Sequence, residues 1–318
     1  MNHAAAVIVT YNSEEVIGEC LDSCLAAAGI DEIVVVDNAS TDGTCTEVRR
    51  RKRVTLLINP ENQGFAAAVN RGVRATQAGY ILLLNPDAVL LCGIPEMIDA
   101  CRTAAAAGGK LICADGAPQT GFAVRRLPTP MALAFEVLGI NRIWPSNPVN
   151  RRYRRLDCNL DTPCDVEQPA GAFLMFRRSA WEAVGGFDEE FFPLWFEDVD
   201  FCKRLHDRGL PIRYVPQAIA RHQGGHSIRK LQWESRALYW YANLLKYAGM
   251  HFSPAGKTLV CFATAVGVTL RTPLALVSGP RFRVFVVVGR LWRLAWRLLW
   301  SQRLDGPRRD SAVSGEES

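Results

Sequence analysis

The sequence of 318 residues predicts an α/β protein built on a doubly wound, mostly parallel sheet. Two observations lead to this fold class. Short runs of aliphatic residues alternate with helical segments at close spacing over residues 5–107, which is typical of parallel strands joined by crossover helices. Several of these runs end in polar residues, and open α/β sheets bind their ligands at the carboxyl ends of the strands.

Strands are predicted where valine, isoleucine and leucine dominate, because a strand buried on both faces of a sheet is almost continuously apolar. The predicted strands are residues 5–10, 32–36, 54–58, 80–84, 172–176 and 212–215. Residues 108–165 are rich in proline, glycine and arginine, and we expect loops and short helices there.

Helices are predicted over residues 13–28, 65–78, 94–107, 197–208 and 231–247. Ser13 is expected to cap the first of them, with Glu14 and Glu15 favourable near its positive end. Gly209 follows the helix 197–208 in the position where helices commonly stop, and Pro211 lies just beyond it.

The chain divides into a predicted α/β domain over 1–250, an apolar and basic helical region over 251–303 and a disordered tail over 304–318. The thirteen uncharged residues 258–270 fall short of the ~20 that a spanning helix needs. Residues 282–300 combine arginines with Trp292, Trp296 and Trp300, which is typical of a helix lying in a membrane interface. We favour a membrane surface as the partner of 258–300; packing on the domain or on a second subunit is the alternative, and the oligomeric state is open.

The charge pattern and the cysteines argue against several classes of protein. The net charge is +5, and arginines cluster at 49–53, 151–155 and 281–297, where they can meet phosphate or anionic lipid. No zinc-finger or helix-turn-helix pattern supports binding to nucleic acid. The ten cysteines lack the paired spacing of a zinc site, and we expect them to be reduced in a cytoplasmic protein.

Polar side chains follow three of the predicted strands, in the segments Thr10-Tyr11-Asn12, Asp37-Asn38 and Asn85-Pro86-Asp87. Asp37 could accept hydrogen bonds from a ribose or a base, or it could be a turn residue before the next helix. Asp87 could bind a divalent cation that neutralises a diphosphate, or it could close an Asn-Pro-Asp turn. The residues alone leave both pairs of alternatives open.

In order and spacing, these three strand ends and three further segments resemble glycosyltransferase family 2. The segments are VIVTYNS, VVVDNASTDGT, NQGFAAAVNRG, ILLLNPD, GGFDEEFFPLWFEDVDFC and RHQGGHS, which extend to residue 227. DGAPQ, RRYRR and QPAGAFLM are similar to segments of the bacterial rhamnosyltransferase-like branch of that family. The resemblance implies the GT-A fold and transfer of a sugar from a nucleotide donor with inversion.

The resemblance also implies which residues hold the donor. The expected donor-binding residues are Thr10, Tyr11, Asp37, Asn62, Gly64 and Asn85. Asp87 and His222 are expected to bind a divalent cation, Mg²⁺ or Mn²⁺, with Asp87 at the last position of the family's Asp-x-Asp element and Asn85 where its first Asp often stands. From the residues alone, His222 could instead be a loop histidine in solvent, which is the interpretation we favour for His226. Asn70 and Asp42 are expected to be a packing residue and a helix cap.

For catalysis, the resemblance implies that Asp198 is the base, with Glu197 as its neighbour. A carboxylate in an apolar pocket, with other carboxylates nearby, has a raised pKa that suits the removal of a proton from an acceptor hydroxyl. The alternative is that Glu197, Asp198 and Asp200 only complement the dipole of their helix, which explains Asp200 best. Gly171 and Trp195 are expected on the acceptor side, although Trp195 could equally belong to the core.

The expected function is therefore an inverting hexosyltransferase. It would move L-rhamnose from dTDP-L-rhamnose to a hydroxyl of a cell-envelope glycan or lipid-linked acceptor, as a cytoplasmic protein peripheral on the inner face of the cell membrane. The alternatives are a transferase for another donor such as a UDP-sugar, and a non-catalytic membrane-associated scaffold. A nucleotidyltransferase would need a loop such as GxGxR near the N-terminus, where this chain has VTYNS.

Overall fold

A mixed sheet of nine strands forms the centre of the part of the chain that the computed structural model describes, which is residues 4–157, 159–225, 231–278 and 281–300. A second sheet is a ribbon of two short strands, β7 and β9. In chain order the strands are β1 (Ala4–Thr10), β2 (Ile30–Asp37), β3 (Thr55–Ile58), β4 (Tyr80–Leu84), β5 (Ala88–Cys92), β6 (Ala106–Ile112), β7 (Val124–Arg125), β8 (Cys164–Val166), β9 (Gln168–Pro169), β10 (Phe173–Arg177) and β11 (Ile212–His222).

The strand order of the large sheet is β3-β2-β1-β4-β10-β6-β11-β5, with β8 paired to β11. The first four strands in this order are parallel. The second half is mixed, because β10 runs antiparallel to both β4 and β6 while β11 runs parallel to β6. In the register of β1 and β2, Thr10 pairs with Asp37, which brings the two predicted polar strand ends together.

The described helices are α1 (Glu14–Ala26), α2 (Thr44–Arg49), α3 (Phe65–Arg74), α4 (Ile94–Thr103), α5 (Pro130–Leu138), α6 (Ile140–Ile143), α7 (Pro148–Tyr153), α8 (Arg178–Val184), α9 (Glu197–Asp207), α10 (Trp233–His251), α11 (Pro254–Ser278) and α12 (Arg281–Trp300). Ser13 stands at the N-cap of α1 as predicted, but its side chain makes no capping hydrogen bond. Helix α11 continues past Pro273.

Both faces of the sheet are covered, which confirms the doubly wound architecture. Successive residues of β1 alternate between two separate cores: Ala4, Ala6 and Ile8 pack with α1 and α4, while Ala5, Val7 and Val9 pack with α3, α8 and α9. This alternation follows from the two-residue period of a strand. It explains why β1 carries no polar residue before its carboxyl end.

The predicted helix over 94–107 is too long, because residues 106–112 form the central strand β6. Alanine favours helices locally, but tertiary packing overrides that preference here. A β-carbon on Gly108 would lie 2.3 Å from Cβ of Pro169, and one on Gly109 would lie 2.1 Å from the ring of Phe173. The two glycines are therefore needed because Pro169 and Phe173 approach β6 closely.

The C-terminal helices α10, α11 and α12 form a third core with α5 and with the segment that enters α9. Phe191, Phe196 and Val199 belong to this core, so the helical region helps to fix the start of α9. No helix in the described ranges combines the length and the apolarity needed to cross a membrane. Residues 301–303 of the predicted helical region and the predicted tail 304–318 lie outside the described residues.

Candidate active site

A cavity of about 440 Å³ opens at the carboxyl ends of β1 and β4 and reaches the start of α9. Eight of the predicted site residues line it: Tyr11, Asn62, Asn85, Asp87, Gly171, Trp195, Glu197 and Asp198. The other four, Thr10, Asp37, Gly64 and His222, are not part of its wall but are bonded to residues in or beside it. The structure thus gathers residues that are up to 187 positions apart in the sequence, from Tyr11 to Asp198.

Asp37 is fully buried at the end of β2 and holds the loop that follows it. Its Oδ1 accepts hydrogen bonds from Oγ1 of Thr10 at 2.8 Å and from Oγ of Ser40 at 2.5 Å. Its Oδ2 accepts the backbone N–H of Ser40 at 2.8 Å. Asp37 therefore organises the strand ends in this state, and its predicted contact with a nucleotide would have to replace or share these bonds.

Asn38, Asn62 and Gly64 form the next part of the rim. The side-chain amide of Asn38 donates to the carbonyl of Gly64 at 3.1 Å, and the Gly64 N–H donates to Oδ1 of Asn62 at 2.9 Å. Gly64 has φ of +87°, and a β-carbon there would lie 2.9 Å from the ring of Phe192. Both the backbone conformation and the close approach require glycine at this position.

Asp87 lies beside His222, with 3.3 Å between Oδ1 of Asp87 and Nε2 of His222. Gln119 orients the imidazole, because its amide donates to the His222 carbonyl at 2.6 Å while its Oε1 lies 3.1 Å from Nδ1. This arrangement puts the proton of a neutral imidazole on Nδ1 and turns the lone pair of Nε2 toward the carboxylate. Two acceptors at this distance need a proton or a cation between them.

The Asp87–His222 pair fits a cation that takes its remaining ligands from elsewhere. Among the described residues, no group of three or more His, Cys, Asp or Glu side chains could hold a metal. Mg²⁺ and Mn²⁺ sites commonly use one or two protein ligands together with phosphate oxygens and water. Asn85 lies beside the pair, with its side-chain nitrogen 3.5 Å from Nε2 of His222.

The backbone before α9 aims the two predicted catalytic carboxylates into the cavity. Trp195 and Phe196 both have positive φ, of 78° and 73°, which is unfavourable for residues with large side chains. This turn brings Glu197 and Asp198 to the first turn of α9 at the cavity wall. Trp195 is half-buried, lines the cavity and packs against the third core, and its contact with an acceptor stays a prediction.

Asp198 is held by backbone amides. Its Oδ2 accepts the N–H of Gly171 at 3.0 Å, and its Oδ1 accepts the N–H of Val199 at 2.8 Å. Burial raises the pKa of Asp198 above its ordinary value, while these amides and the charge of Arg125 oppose the rise. The carboxylate is therefore a stronger base than an aspartate in water, which is the condition that general-base work requires.

Glu197 differs from its neighbour. It is buried, its Oε2 has no hydrogen-bond partner within the described residues, and burial followed by the charge of Asp198 raises its pKa well above the ordinary value. A carboxyl group in this position is stable as the neutral acid, since an ionised and unpaired buried oxygen would be costly. Asp198, rather than Glu197, is thus the residue that the surroundings favour in the ionised form.

Three further predicted residues have structural roles. Asp200 is buried and pairs with Arg204 at 2.7 Å and with His251 of α10 at 2.8 Å, so it ties α9 to the C-terminal helices. The side chain of Asn70 bonds the Trp181 ring and the Phe187 backbone, as expected of a packing residue. Asp42 accepts the N–H of Thr44 at 3.0 Å, which fits its expected capping role. His226 lies outside the described residues.

Sequence reasoning named none of five other residues of the site individually, which are Gln119, Phe122, Arg125, Tyr153 and Arg154. The ring of Phe122 stacks on that of His222, with centroids 5.5 Å apart. These residues come from the region 108–165 that was expected to be irregular. Three of them, Gln119, Tyr153 and Arg154, lie in DGAPQ and RRYRR, so the resemblance of those segments was a signal that could have found them.

Comparisons with known proteins agree with this geometry. The family described as "Glycosyl transferase family 2" matches residues 5–184, and the "N-terminal domain of galactosyltransferase" matches residues 154–224. An N-acetylglucosaminyl-diphospho-decaprenol L-rhamnosyltransferase of Mycobacterium tuberculosis is 33% identical over 244 residues, which cover 70% of this chain and 76% of the relative. Rhamnosyltransferase WbbL of Escherichia coli strain K12 is 27% identical over 74% of this chain and 88% of its own length.

Solved structures share the fold. GalNAc-T7, crystallised with UDP, GalNAc and Mn²⁺, aligns with a TM-score of 0.55 and 14% identity over 79% of this chain and 50% of its own. The mannosyltransferase PcManGT from Pyrobaculum calidifontis, in complex with GDP-Man and Mn²⁺, aligns with a TM-score of 0.51 and 18% identity over 94% of this chain and 87% of its own. A sheet, a cavity and a carboxylate pair of this kind, together with the family match over more than half of the chain, show that the protein is a glycosyltransferase that belongs to glycosyltransferase family 2.

Proposed function

We propose that this enzyme transfers L-rhamnose from dTDP-L-rhamnose, with inversion, to a hydroxyl of a lipid-linked precursor of a cell-envelope glycan. The observation that carries the proposal is the position of Asp198, a carboxylate with a raised pKa in the same cavity as the polar strand ends Asn62, Asn85 and Asp87. A base and a polar site for a donor that share one cavity are the parts that direct sugar transfer needs.

The nucleotide lies over the ends of β1, β2 and β4 in this proposal, with the diphosphate toward Asp87 and His222. These two residues would hold Mg²⁺ or Mn²⁺, which would stabilise the negative charge of the departing diphosphate. Gln119 fixes the imidazole so that Nε2 faces the cation site. The structures of GalNAc-T7 and PcManGT each hold a nucleotide ligand and Mn²⁺, which supports a divalent cation in this proposal.

Asp198 takes the proton of the acceptor hydroxyl as that oxygen attacks the anomeric carbon. The new bond forms on the face opposite the diphosphate, and the bond from the anomeric carbon to the diphosphate oxygen breaks with its electron pair leaving on the diphosphate. The configuration at the anomeric carbon inverts in this single displacement. The neutral carboxyl of Glu197 lies next to Asp198 and can donate a hydrogen bond to a ligand without competing for the proton.

The choice of donor and acceptor comes from the relatives. Two relatives are rhamnosyltransferases, and the name of the mycobacterial one describes an acceptor with a diphosphate attached to a polyprenol. A UDP-sugar donor is the alternative, and it would keep the same cavity and the same base. With either donor, the enzyme would work in the cytoplasm, peripheral on the inner face of the cell membrane, where it can reach a lipid-linked acceptor.

The outer face of α12 supports contact with a membrane surface. Val287, Leu291, Ala295 and Leu298 turn inward to the third core, and Val284 is also buried. The exposed residues on the opposite side form two adjacent stripes along the helix, one aromatic and one basic. Their positions in the sequence place them so on a helix with 3.6 residues per turn. The exposed aromatic residues are Phe285, Trp292, Trp296 and Trp300, and the exposed arginines are Arg283, Arg290, Arg293 and Arg297.

Binding of a donor panel tests the proposal. The full chain would be titrated by calorimetry with dTDP, dTDP-L-rhamnose, UDP, UDP-sugars and GDP-mannose, each with Mn²⁺, Mg²⁺ or EDTA. Tightest binding of dTDP-L-rhamnose in the presence of metal is the expected result. Preference for a UDP-sugar would exclude rhamnose as the donor, and no binding of any nucleotide would exclude the cavity as the donor site.

A further inference from the structure

We propose that Arg125 and Arg154 form an anion subsite in the active-site cavity that binds the diphosphate of a lipid-linked acceptor. The inference rests on the proposed function, because it assigns a part of the acceptor to a part of the same cavity. Both side chains line the cavity, and neither belongs to the residues expected to bind the donor or the cation.

Arg125 presents an ordered cation to the cavity. Its Nε donates to the carbonyl of Gly121 at 2.9 Å, and within the described ranges its two terminal nitrogens form no hydrogen bond or ion pair. The guanidinium lies over two aromatic rings, 5.5 Å from the centroid of Phe122 and 6.0 Å from that of Tyr153. Cation–π contacts fix its plane without neutralising its charge, so the terminal nitrogens remain available to an anion.

Gly121 also positions Arg154. A β-carbon on Gly121 would lie 3.1 Å from Cβ of Arg154, so the backbone that accepts the Arg125 hydrogen bond packs directly on the second arginine. Nε of Arg154 donates to Oδ1 of Asn150 at 3.0 Å, and its Nη2 lies 3.6 Å from Oε2 of Glu136. Glu136 is partly exposed and offsets part of the charge, but both arginines still line the cavity and both pack beside Gly121.

The subsite lies on the side of the cavity where the acceptor would enter. In the small sheet, Arg125 pairs with Gln168, three residues before the Gly171 amide that holds Asp198. Arg125 is also near enough to Asp198 for its charge to lower the pKa of that carboxyl. An anion held by Arg125 would therefore place the sugar attached to it next to the base.

Part of the cavity wall is apolar. Leu133 of α5, Phe196 and Trp240 of α10 line it, and all three pack in or against the third core with the C-terminal helices. A prenyl chain that leaves a diphosphate at Arg125 and Arg154 would meet this apolar wall. One cavity thus combines a base, two cations and an apolar surface, the groups that the sugar, the diphosphate and the lipid of such an acceptor would contact.

The donor diphosphate is the other source of the same chemistry, because Phe122 stacks on both Arg125 and His222. The test therefore uses a diphosphate with the donor position already filled. Farnesyl diphosphate would be titrated by calorimetry into the full chain saturated with dTDP and Mn²⁺, and farnesol would serve as the probe without a diphosphate. The variants are Arg125→Gln and Arg154→Gln, with Arg152→Gln on the exposed side of α7 as the matched loss of charge.

We expect each cavity variant to weaken binding of farnesyl diphosphate about ten- to hundredfold, since hydrogen bonds to charged groups contribute that much to affinity. Binding of farnesol and of dTDP should stay within about twofold of the wild-type values, and Arg152→Gln should change nothing. If Arg125→Gln fails to fold, as judged by its thermal melt, Arg154→Gln carries the test.

Three results would overturn the proposal. The wild-type protein saturated with dTDP could fail to bind farnesyl diphosphate, or the cavity variants could bind it as tightly as the wild type. Alternatively, the cavity variants could lose as much affinity for dTDP as for farnesyl diphosphate. The last result would assign the arginines to the donor diphosphate. Failure of the proposed function is visible separately, because it would appear as absence of dTDP binding to the wild-type protein.

Discussion

The backbone N–H of Gly171 donates a hydrogen bond to Oδ2 of Asp198 across 3.0 Å, and it joins the loop before β10 to the first turn of α9. With Oδ1 taken by the Val199 N–H, each carboxylate oxygen has one fixed partner and keeps capacity for another hydrogen bond. The bond therefore orients the carboxylate without consuming the lone pair that would receive a proton from an acceptor.

The two neighbouring carboxyls should respond differently to amide substitution. Glu197→Gln replaces a neutral acid by a neutral amide of the same shape, so we expect kcat to stay within about tenfold of the wild-type value. Transfer would be measured as release of dTDP from dTDP-L-rhamnose in the presence of the acceptor. A loss of 10²-fold or more, the size expected for removal of a general base, would show that Glu197 rather than Asp198 takes the proton.

The pH dependence of kcat should have an acid limb set by Asp198. Protonation below its raised pKa removes the base, so the rate should fall as the pH is lowered through a value above the ~3.9 of an ordinary aspartate. Arg125→Gln removes a positive charge that favours the ionised carboxylate, which raises this pKa further, so the limb should move to higher pH. Arg152→Gln is the control. An acid limb that stays fixed or moves to lower pH in Arg125→Gln would contradict the assignment of this limb to Asp198.

Cation-dependent binding of the nucleotide should require Asp87 and His222. Asp87→Ala and His222→Ala should each bind dTDP with an affinity that Mn²⁺ no longer increases, whereas the wild-type protein should bind it more weakly in EDTA. Calorimetric titration of dTDP in Mn²⁺ and in EDTA measures this difference. Asp99→Ala, at an exposed carboxylate of α4, is the matched control. An unchanged response to Mn²⁺ in both site variants would remove them from the cation.

The outer face of α12 should govern binding to lipid vesicles. Replacing Trp296 and Trp300 by serine should reduce co-sedimentation with vesicles that contain phosphatidylglycerol, because interfacial tryptophans contribute to the insertion of such a helix. Replacing Arg293 and Arg297 by serine should abolish the preference for these vesicles over phosphatidylcholine alone. Leu91→Ser, at an exposed apolar residue of β5, should have no effect. Wild-type protein that ignores both kinds of vesicle would refute the membrane contact.

The first half of the fold was predictable because its strands are continuous apolar runs. β1, β2, β3 and β4 end within two residues of their predicted limits, and their polar ends converge as parallel strands require. The strands β5 and β6 were not predicted. Their sequences are short or rich in alanine and glycine, and the close approach of Pro169 and Phe173 that demands the two glycines is a contact from far along the chain.

The candidate site was predictable only where a motif carries it. The pair Glu197 and Asp198 follows a recognisable aromatic segment, whereas the function of Arg125 depends on Gly121 and two aromatic rings that local pattern cannot bring together. Asp200 was expected to have a structural role, unlike the neighbouring Glu197 and Asp198. Its partner His251 lies in a helix whose contact with α9 the sequence did not indicate.

Single-turnover transfer by Asp198→Asn tests the claim that Asp198 is the catalytic base. The variant would be mixed with dTDP-L-rhamnose, Mn²⁺ and the lipid-linked acceptor. Its affinity for the donor would be measured in parallel. Asp207→Asn, at the exposed end of α9, is the control. We predict a rate reduced 10²- to 10⁴-fold, with donor affinity within about tenfold of the wild-type value. Transfer at the wild-type rate, or a loss of donor affinity as large as the loss of rate, would contradict the claim.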